Sequence, residues 1–142
     1  MKLLDTNILL NAINSDSSQY GACCEFLEAV VNSEQMWAMT WGIVYEFLRV
    51  ATHPGVFPTP LSLEDALNII MEIATRPNCL VLSETSEHRA TLDECLELAP
   101  RLSGNILHDF HTAVTMKEHG IADIVTFDRD FRAFPWVRLE FP

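Results

Sequence analysis

The sequence predicts an α/β fold, a three-layer αβα sandwich around a central parallel sheet, and three observations lead there. The opening, Met1-Lys2-Leu3-Leu4-Asp5-Thr6-Asn7, runs short and apolar into a carboxylate. A helix-period pattern of Ile8, Leu9, Leu10, Ala12 and Ile13 follows at once, so the segment reads as a buried strand breaking into a helix at Asp5. The same arrangement recurs late in the chain as Ile124-Val125-Thr126-Phe127-Asp128. Between the two, short apolar runs alternate with longer amphipathic stretches, the pattern of βαβ units and parallel strands. In such open sheets ligands bind outside the carboxyl ends of the strands, where both strand-ending aspartates fall.

The elements follow in order. After the first strand and helix, Ser17 or Ser18 can cap a second helix through about Asn32, with Ala22, Phe26, Leu27, Val30 and Val31 as its apolar face. Met36 to Thr40 is a short apolar run, read as the second strand. Trp41 to Thr52 reads as a helix ended by His53-Pro54-Gly55, because proline disfavours helical geometry in the residue before it. Beyond a loop over Val56 to Pro60, Ser62 caps a helix to about Arg76, with Glu64 and Asp65 in the first turn where the helix dipole favours acids. Cys79 to Leu82 is a third strand, apolar throughout, as expected when both sheet faces are covered. Thr85 or Ser86 begins a helix through Leu92, Cys95, Leu96 and Leu98. Ser103-Gly104-Asn105 is a break before a helix from Ile106 to His119 that Gly120 stops. Ala122 to Thr126 is the fourth strand, Asp128 to Phe134 a turn or short helix, and Val137 to Leu139 a candidate terminal strand.

At 142 residues and 49% hydrophobic composition the chain fits one domain, residues 1–142, with a single core and no repeat or linker. Its apolar runs fall far short of the ~20 residues that cross a bilayer, and no apolar signal region precedes Asp5, so a soluble cytoplasmic protein is expected. Cys23, Cys24, Cys79 and Cys95 show no C-x-x-C spacing and sit in apolar surroundings, which favours buried reduced thiols. The net charge of -11, 20 acids against nine bases, argues against a nucleic-acid binder that neutralises many phosphates. It does not exclude an enzyme whose acids hold metal, since two divalent ions cancel about four charges where a phosphodiester approaches. A basic protein partner is a second outlet for the charge.

Two acids inside helices join the two at strand ends. In the Trp41 to Thr52 helix, Ile43, Val44, Phe47, Val50 and Ala51 form one stripe, and Glu46 lies about 60° from Ile43 on its edge. Asp109 repeats this geometry beside the arc of Ile106, Leu107, Phe110, Ala113 and Val114, again about 60° from the centre line. Each acid has a bland reading: Glu46 as partner of Arg49 at i+3, Asp109 as a first-turn acid, Asp5 and Asp128 as helix caps. Four acids at two strand ends and two stripe edges exceed what capping requires. Hard oxygen ligands suit Mg²⁺ or Mn²⁺, and a pair of such ions can activate water for in-line phosphodiester displacement without a nucleophilic side chain.

At these residues the sequence resembles the PIN-domain family, and within it the VapC-type toxins of bacterial toxin-antitoxin pairs. The resemblance spans essentially the whole chain. It rests on Leu4-Asp5-Thr6-Asn7, on Glu46 in the third helix, on His108-Asp109-Phe110-His111-Thr112-Ala113, and on Thr126-Phe127-Asp128-Arg129-Asp130-Phe131. It implies that Asp5, Glu46, Asp109 and Asp128 are the catalytic acidic quartet and metal ligands, Asp5 and Asp109 foremost. It also implies that Thr126 helps place water or metal and that Asn7 stands at the site's margin. The implied activity is Mg²⁺-dependent endoribonuclease on a structured RNA such as tRNA or ribosomal RNA, with inhibition by a cognate antitoxin and assembly as a homodimer. Asp130 is an extra acid, read as a cap rather than a fifth site member.

Arg129, Arg132 and Arg138 cluster after Asp128 and offer phosphate contacts, and Trp37, Trp41, Tyr45 and Trp136 offer either base-stacking surfaces or core and dimer contacts. Three rival readings stand beside this one. A zinc hydrolase would use His108 and His111, but their i, i+3 spacing is not H-E-x-x-H, and with His119 they lie opposite the apolar arc, read as a solvated face. A phosphoacceptor or phosphatase would need the second aspartate of an Asp-x-Asp opening or a lysine ending a late strand, and neither is present. The third rival is a catalytically silent PIN-like protein-binding module.

Overall fold

The computed structural model describes residues 1–142. Five short strands alternate with six α-helices: β1 (Lys2–Leu4), α1 (Thr6–Ile13), α2 (Tyr20–Val31), β2 (Trp37–Thr40), α3 (Trp41–Ala51), α4 (Leu63–Ala74), β3 (Cys79–Leu82), α5 (His88–Leu98), α6 (Ile106–Glu118), β4 (Asp123–Val125) and β5 (Arg138–Glu140). A 3₁₀ turn, Arg129–Ala133, lies between the last two strands. All pairings are parallel and the strand order is β3-β2-β1-β4-β5. The chain therefore winds outward from β1 in one direction and then returns to its other side at β4. That reversal opens a crevice between the carboxyl ends of β1 and β4.

Burial explains why the strands are so apolar. Leu3 and Leu4 point to opposite faces of β1 and neither has exposed surface, so helices cover both sides of the sheet centre. The main core joins them to Met39, Phe47, Ile70, Met116 and Ile124 among 25 buried residues. β3 departs from the expectation of full cover: it is an edge strand, and Leu80 is 42% exposed.

Caps set several helix starts as expected. The Ser62 hydroxyl accepts from the Asp65 N–H at 3.0 Å, and Gly120, at φ 68°, follows α6 in the left-handed region a side chain would resist. Two caps differ. Ser17 donates to Asn11 Oδ1 at 2.6 Å and accepts from the Gln19 N–H, so it closes the α1–α2 loop, and α2 begins at Tyr20 without a side-chain cap. Thr85 likewise accepts from the Glu87 N–H and donates to Glu118, which ties the loop after β3 to α6, and α5 begins only at His88.

His108 and His111 are exposed, as the solvated histidine face requires, and two rings of that face also reach this loop. His111 Nε2–H donates to Glu84 Oε1 at 2.6 Å, and His119 Nε2–H donates to the Ser83 carbonyl at 2.8 Å. The side of α6 opposite its apolar arc is thus stitched to the β3–α5 connection. The four cysteines are free thiols, with Cys23, Cys79 and Cys95 buried and Cys24 half-buried, its S–H donating to the Ala12 carbonyl.

Candidate active site

The crevice begins with Asp5, placed by the end of β1 and only 8% exposed. Its Oδ1 accepts from the Thr6 N–H at 2.7 Å, so it caps α1 as its bland reading required. Its Oδ2 accepts from the Thr126 hydroxyl at 2.6 Å and from the Asn7 side-chain amide at 2.7 Å. The capping and site readings are therefore compatible: one carboxylate does both. Burial pushes the Asp5 carboxyl up to about 6, against the hydrogen bonds of Thr126 and Thr6 and with help from the charges of Glu46 and Asp128.

Thr126, fully buried at the end of β4, has every hydrogen-bonding valence filled. It donates to Asp5, and it accepts from the Asn7 amide at 2.8 Å and from the Asp128 N–H at 2.9 Å. Asn7 Oδ1 in turn accepts from the Phe127 N–H at 3.2 Å. The two strand ends are locked to each other by the residues the sequence singles out.

The other acids come from three directions. Glu46, on the exposed edge of α3, accepts from the Thr6 hydroxyl at 3.1 Å through Oε2 and lies 3.7 Å from Arg49 through Oε1. Asp109, in the first turn of α6, is half-buried. Its carboxyl is pushed up to about 7, first by burial and then by the charges of Asp128, Asp5, Glu46 and Asp130. Asp128 caps the 3₁₀ turn, its Oδ1 accepting from the Asp130 N–H at 2.8 Å. Asp130 is not the cap. Instead, carboxylate oxygens of Asp109, Asp128 and Asp130 lie within 4.8 Å of one another. Of the expected quartet this cluster contains Asp109 and Asp128, with Asp130 added, while Asp5 and Glu46 stand outside it.

Glu46, Asp109, Asp128 and Asp130 line a cleft of about 750 Å³, whereas the buried Asp5 is not among its lining residues. Tyr45 and Arg49 of α3, and Asn105, His108 and His111 in or just before α6, also line the cleft. Sequence reasoning assigned no role to Thr6, although it stands inside the Asp5-Thr6-Asn7 opening. Arg49 was visible only as the i+3 partner of Glu46.

Other expected contributors separate. Arg138 grips Asp123 through two hydrogen bonds of 2.7 and 3.0 Å at the amino ends of β4 and β5, the far end of the sheet from the cleft. Only Arg129 and Arg132 stay on the turn after Asp128. Trp37 is 2% exposed within β2, and Trp136 donates its indole N–H to the Ala113 carbonyl while packing on Phe110 and Phe134. Trp37 is a core residue, and Trp136 packs partly buried against the core. Trp41 and Tyr45 remain exposed, at 45% and 70%.

A five-stranded parallel sheet with an acid-lined crevice at its point of reversal is the frame of a PIN domain. Residues 2–137 match the PIN domain family model, and the chain belongs to the PIN-domain family. Ribonuclease VapC37 of Mycobacterium tuberculosis is 30% identical to it, over 100% of this chain and 97% of that protein. Ribonuclease VapC48 of the same organism is 30% identical over 97% of this chain and 94% of its own. Among solved structures, Mycobacterium tuberculosis VapC20, described as a sarcin-ricin loop cleaving toxin, has a TM-score of 0.69 at 14% identity, covering 96% of this chain and 97% of that one. VapBC2 from Rickettsia felis, bound to a fragment of promoter DNA, has a TM-score of 0.67 at 20% identity, covering 99% and 97%. At those identities the structures speak for the fold.

Proposed function

We propose that the protein is a Mg²⁺-dependent endoribonuclease and the toxin of a toxin-antitoxin pair, hydrolysing RNA phosphodiester bonds at its acidic cleft. The observation that carries this reading is the gathering of Asp109, Asp128 and Asp130 oxygens within 4.8 Å of one another, electrostatically coupled to Asp5 and Glu46. An all-oxygen donor set suits a hard divalent cation, and a cation relieves the like-charge repulsion that raises Asp109. Asp109, Asp128, Glu46 and Asp5 would hold it, with Asp130 as an added ligand and Mn²⁺ able to stand in for Mg²⁺. When bound, the metal supplies an activated water and neutralises charge developing at the phosphate.

The chain's own residues prepare that site. Thr6, Asn7 and Thr126 fix both oxygens of Asp5, so its carboxylate is held in one orientation at the end of β1. The Thr6 hydroxyl orients Glu46 through one oxygen. The Asp130 N–H holds Asp128 through Oδ1, and both residues line the cleft. Such preorganisation costs nothing at the moment of reaction.

The names of the relatives at 30% identity support ribonuclease chemistry, and the neighbours solved as VapBC assemblies support an antitoxin partner. The net charge of -11 suits an antitoxin that presents a basic segment. A homodimer and a cytoplasmic location belong to the same reading, and no helix is long and apolar enough to cross a membrane. No observation favours the silent binding module.

The test is cleavage of total tRNA and ribosomal RNA by the purified protein, in Mg²⁺ and in EDTA. Discrete cuts that require Mg²⁺ are expected. Intact RNA after incubation with folded, metal-loaded protein would contradict the reading.

A further inference from the structure

We propose that the outward face of α3 is a base-stacking platform, on which Tyr45, with Trp41 one turn before it, receives an unpaired base of RNA entering the cleft. The inference rests on the nuclease reading above and adds to it how RNA is held. Four residues of α3, Trp41, Tyr45, Glu46 and Arg49, fall at i, i+4, i+5 and i+8 and so share one side of the helix. Tyr45 lines the cleft next to Glu46.

Neither aromatic serves the core. The buried stripe of α3 is Ile43, Val44, Phe47 and Ala51, while Tyr45 is 70% and Trp41 45% exposed. Two other aromatics are exposed, Tyr20 and Phe141, but neither lines the cleft, nor do exposed aliphatics such as Leu63, Leu67, Leu96 and Leu98.

Charge supplies the reason a platform is needed. Of the nine lysines and arginines, six are tied to carboxylates: Lys2, Arg49, Arg76, Arg89, Lys117 and Arg138. On a chain of net charge -11 the remaining three, Arg101, Arg129 and Arg132, cannot form the basic track that holds nucleic acid by its phosphates. Stacking on an aromatic face is worth about 1–3 kcal/mol per base and does not depend on net charge. A paired base in a helix has both faces occupied, so the base taken up must be unpaired.

The experiment measures fluorescence anisotropy of labelled oligoadenylate, and of an abasic ribose-phosphate oligomer of equal length, in Mg²⁺. The protein carries Asp5→Asn to prevent cleavage. Adding Tyr45→Ala should weaken oligoadenylate binding about 5- to 150-fold, Tyr45→Phe should restore it, and the abasic oligomer should be indifferent to both. Unchanged binding by Tyr45→Ala, or equal weakening for the abasic oligomer, would overturn the platform. So would a change in oligomeric mass on Tyr45→Ala, which would make this face a contact between copies. The two readings fail separately. Cleavage by the unmodified protein with binding indifferent to Tyr45 discards the platform alone, whereas Tyr45-dependent binding without cleavage discards the nuclease alone.

Discussion

The Thr126 hydroxyl donates to Asp5 Oδ2 at 2.6 Å, joining the ends of β4 and β1 across 121 residues of chain. Because that hydroxyl also accepts from Asn7 and Asp128, its removal strands two donors and leaves Asp5 Oδ2 with the Asn7 amide alone. Thr126→Val keeps the shape and deletes the hydroxyl. A loss of about 1–3 kcal/mol in urea unfolding is expected, with reduced RNA cleavage. Thr126→Ser should recover both, and a Val variant as stable and active as the parent would show that the bond carries neither.

Metal-free protein should lose stability as pH rises from about 4 to 7. The folded-state carboxyls of Asp5 and Asp109 sit near 6 and 7, above the ordinary 3.8, so the folded chain binds more protons than the unfolded chain across this window. Asp5 accounts for on the order of 3 kcal/mol, and the half-exposed Asp109 for less than its shift implies. Glu84, held low by its own backbone N–H and by His111, works the opposite way, and its contribution is lost only as pH falls below about 4.5. Urea midpoints in EDTA at pH 5 and pH 7.5 test this, with the higher midpoint expected at pH 5. Mg²⁺ should raise the midpoint most at pH 7.5, where the acids are charged.

Arg138 should be dispensable for RNA cleavage. Its guanidinium is held by Asp123 at the far end of the sheet. Arg138→Ala is expected to cleave at the parental rate, and a large loss of activity would move the RNA path to that end.

An antitoxin that fills the cleft through a basic segment should lose inhibition when that segment's lysines and arginines are replaced by alanine. Titrating inhibition of cleavage by the parental and neutralised antitoxins reads this directly. Full inhibition by the neutralised form would place the docking surface elsewhere.

Much of this arrangement was open to sequence reading because it follows from local rules. A strand that ends in a carboxylate and a helix with an acid on the edge of its stripe are visible as spacing, and Asp5, Asp128, Glu46 and Asp109 were each placed that way. What spacing could not supply was the return path of the chain. Arg138 follows Asp128 by ten positions, yet β5 runs parallel to β4, so the chain must first travel back to the amino ends of the strands. The same limit hid the bond from Thr6 to Glu46, 40 residues apart, and the seat of His111 on Glu84. Asp130 was misjudged for a local reason: Asp128 takes the capping bond, and the second acid is left to face the cleft.

The most direct measurement concerns Asp109, whose carboxyl is raised by burial and by the four acids around it. Asp109→Asn removes that charge with almost no change of shape. If the cleft acids hold metal for RNA hydrolysis, this variant should lose Mg²⁺-dependent cleavage of tRNA and ribosomal RNA by about 100-fold or more, while its metal-free form at pH 8 unfolds at the same or a higher urea concentration. Cleavage at the parental rate by folded Asp109→Asn would contradict the assignment of this cleft as the catalytic site.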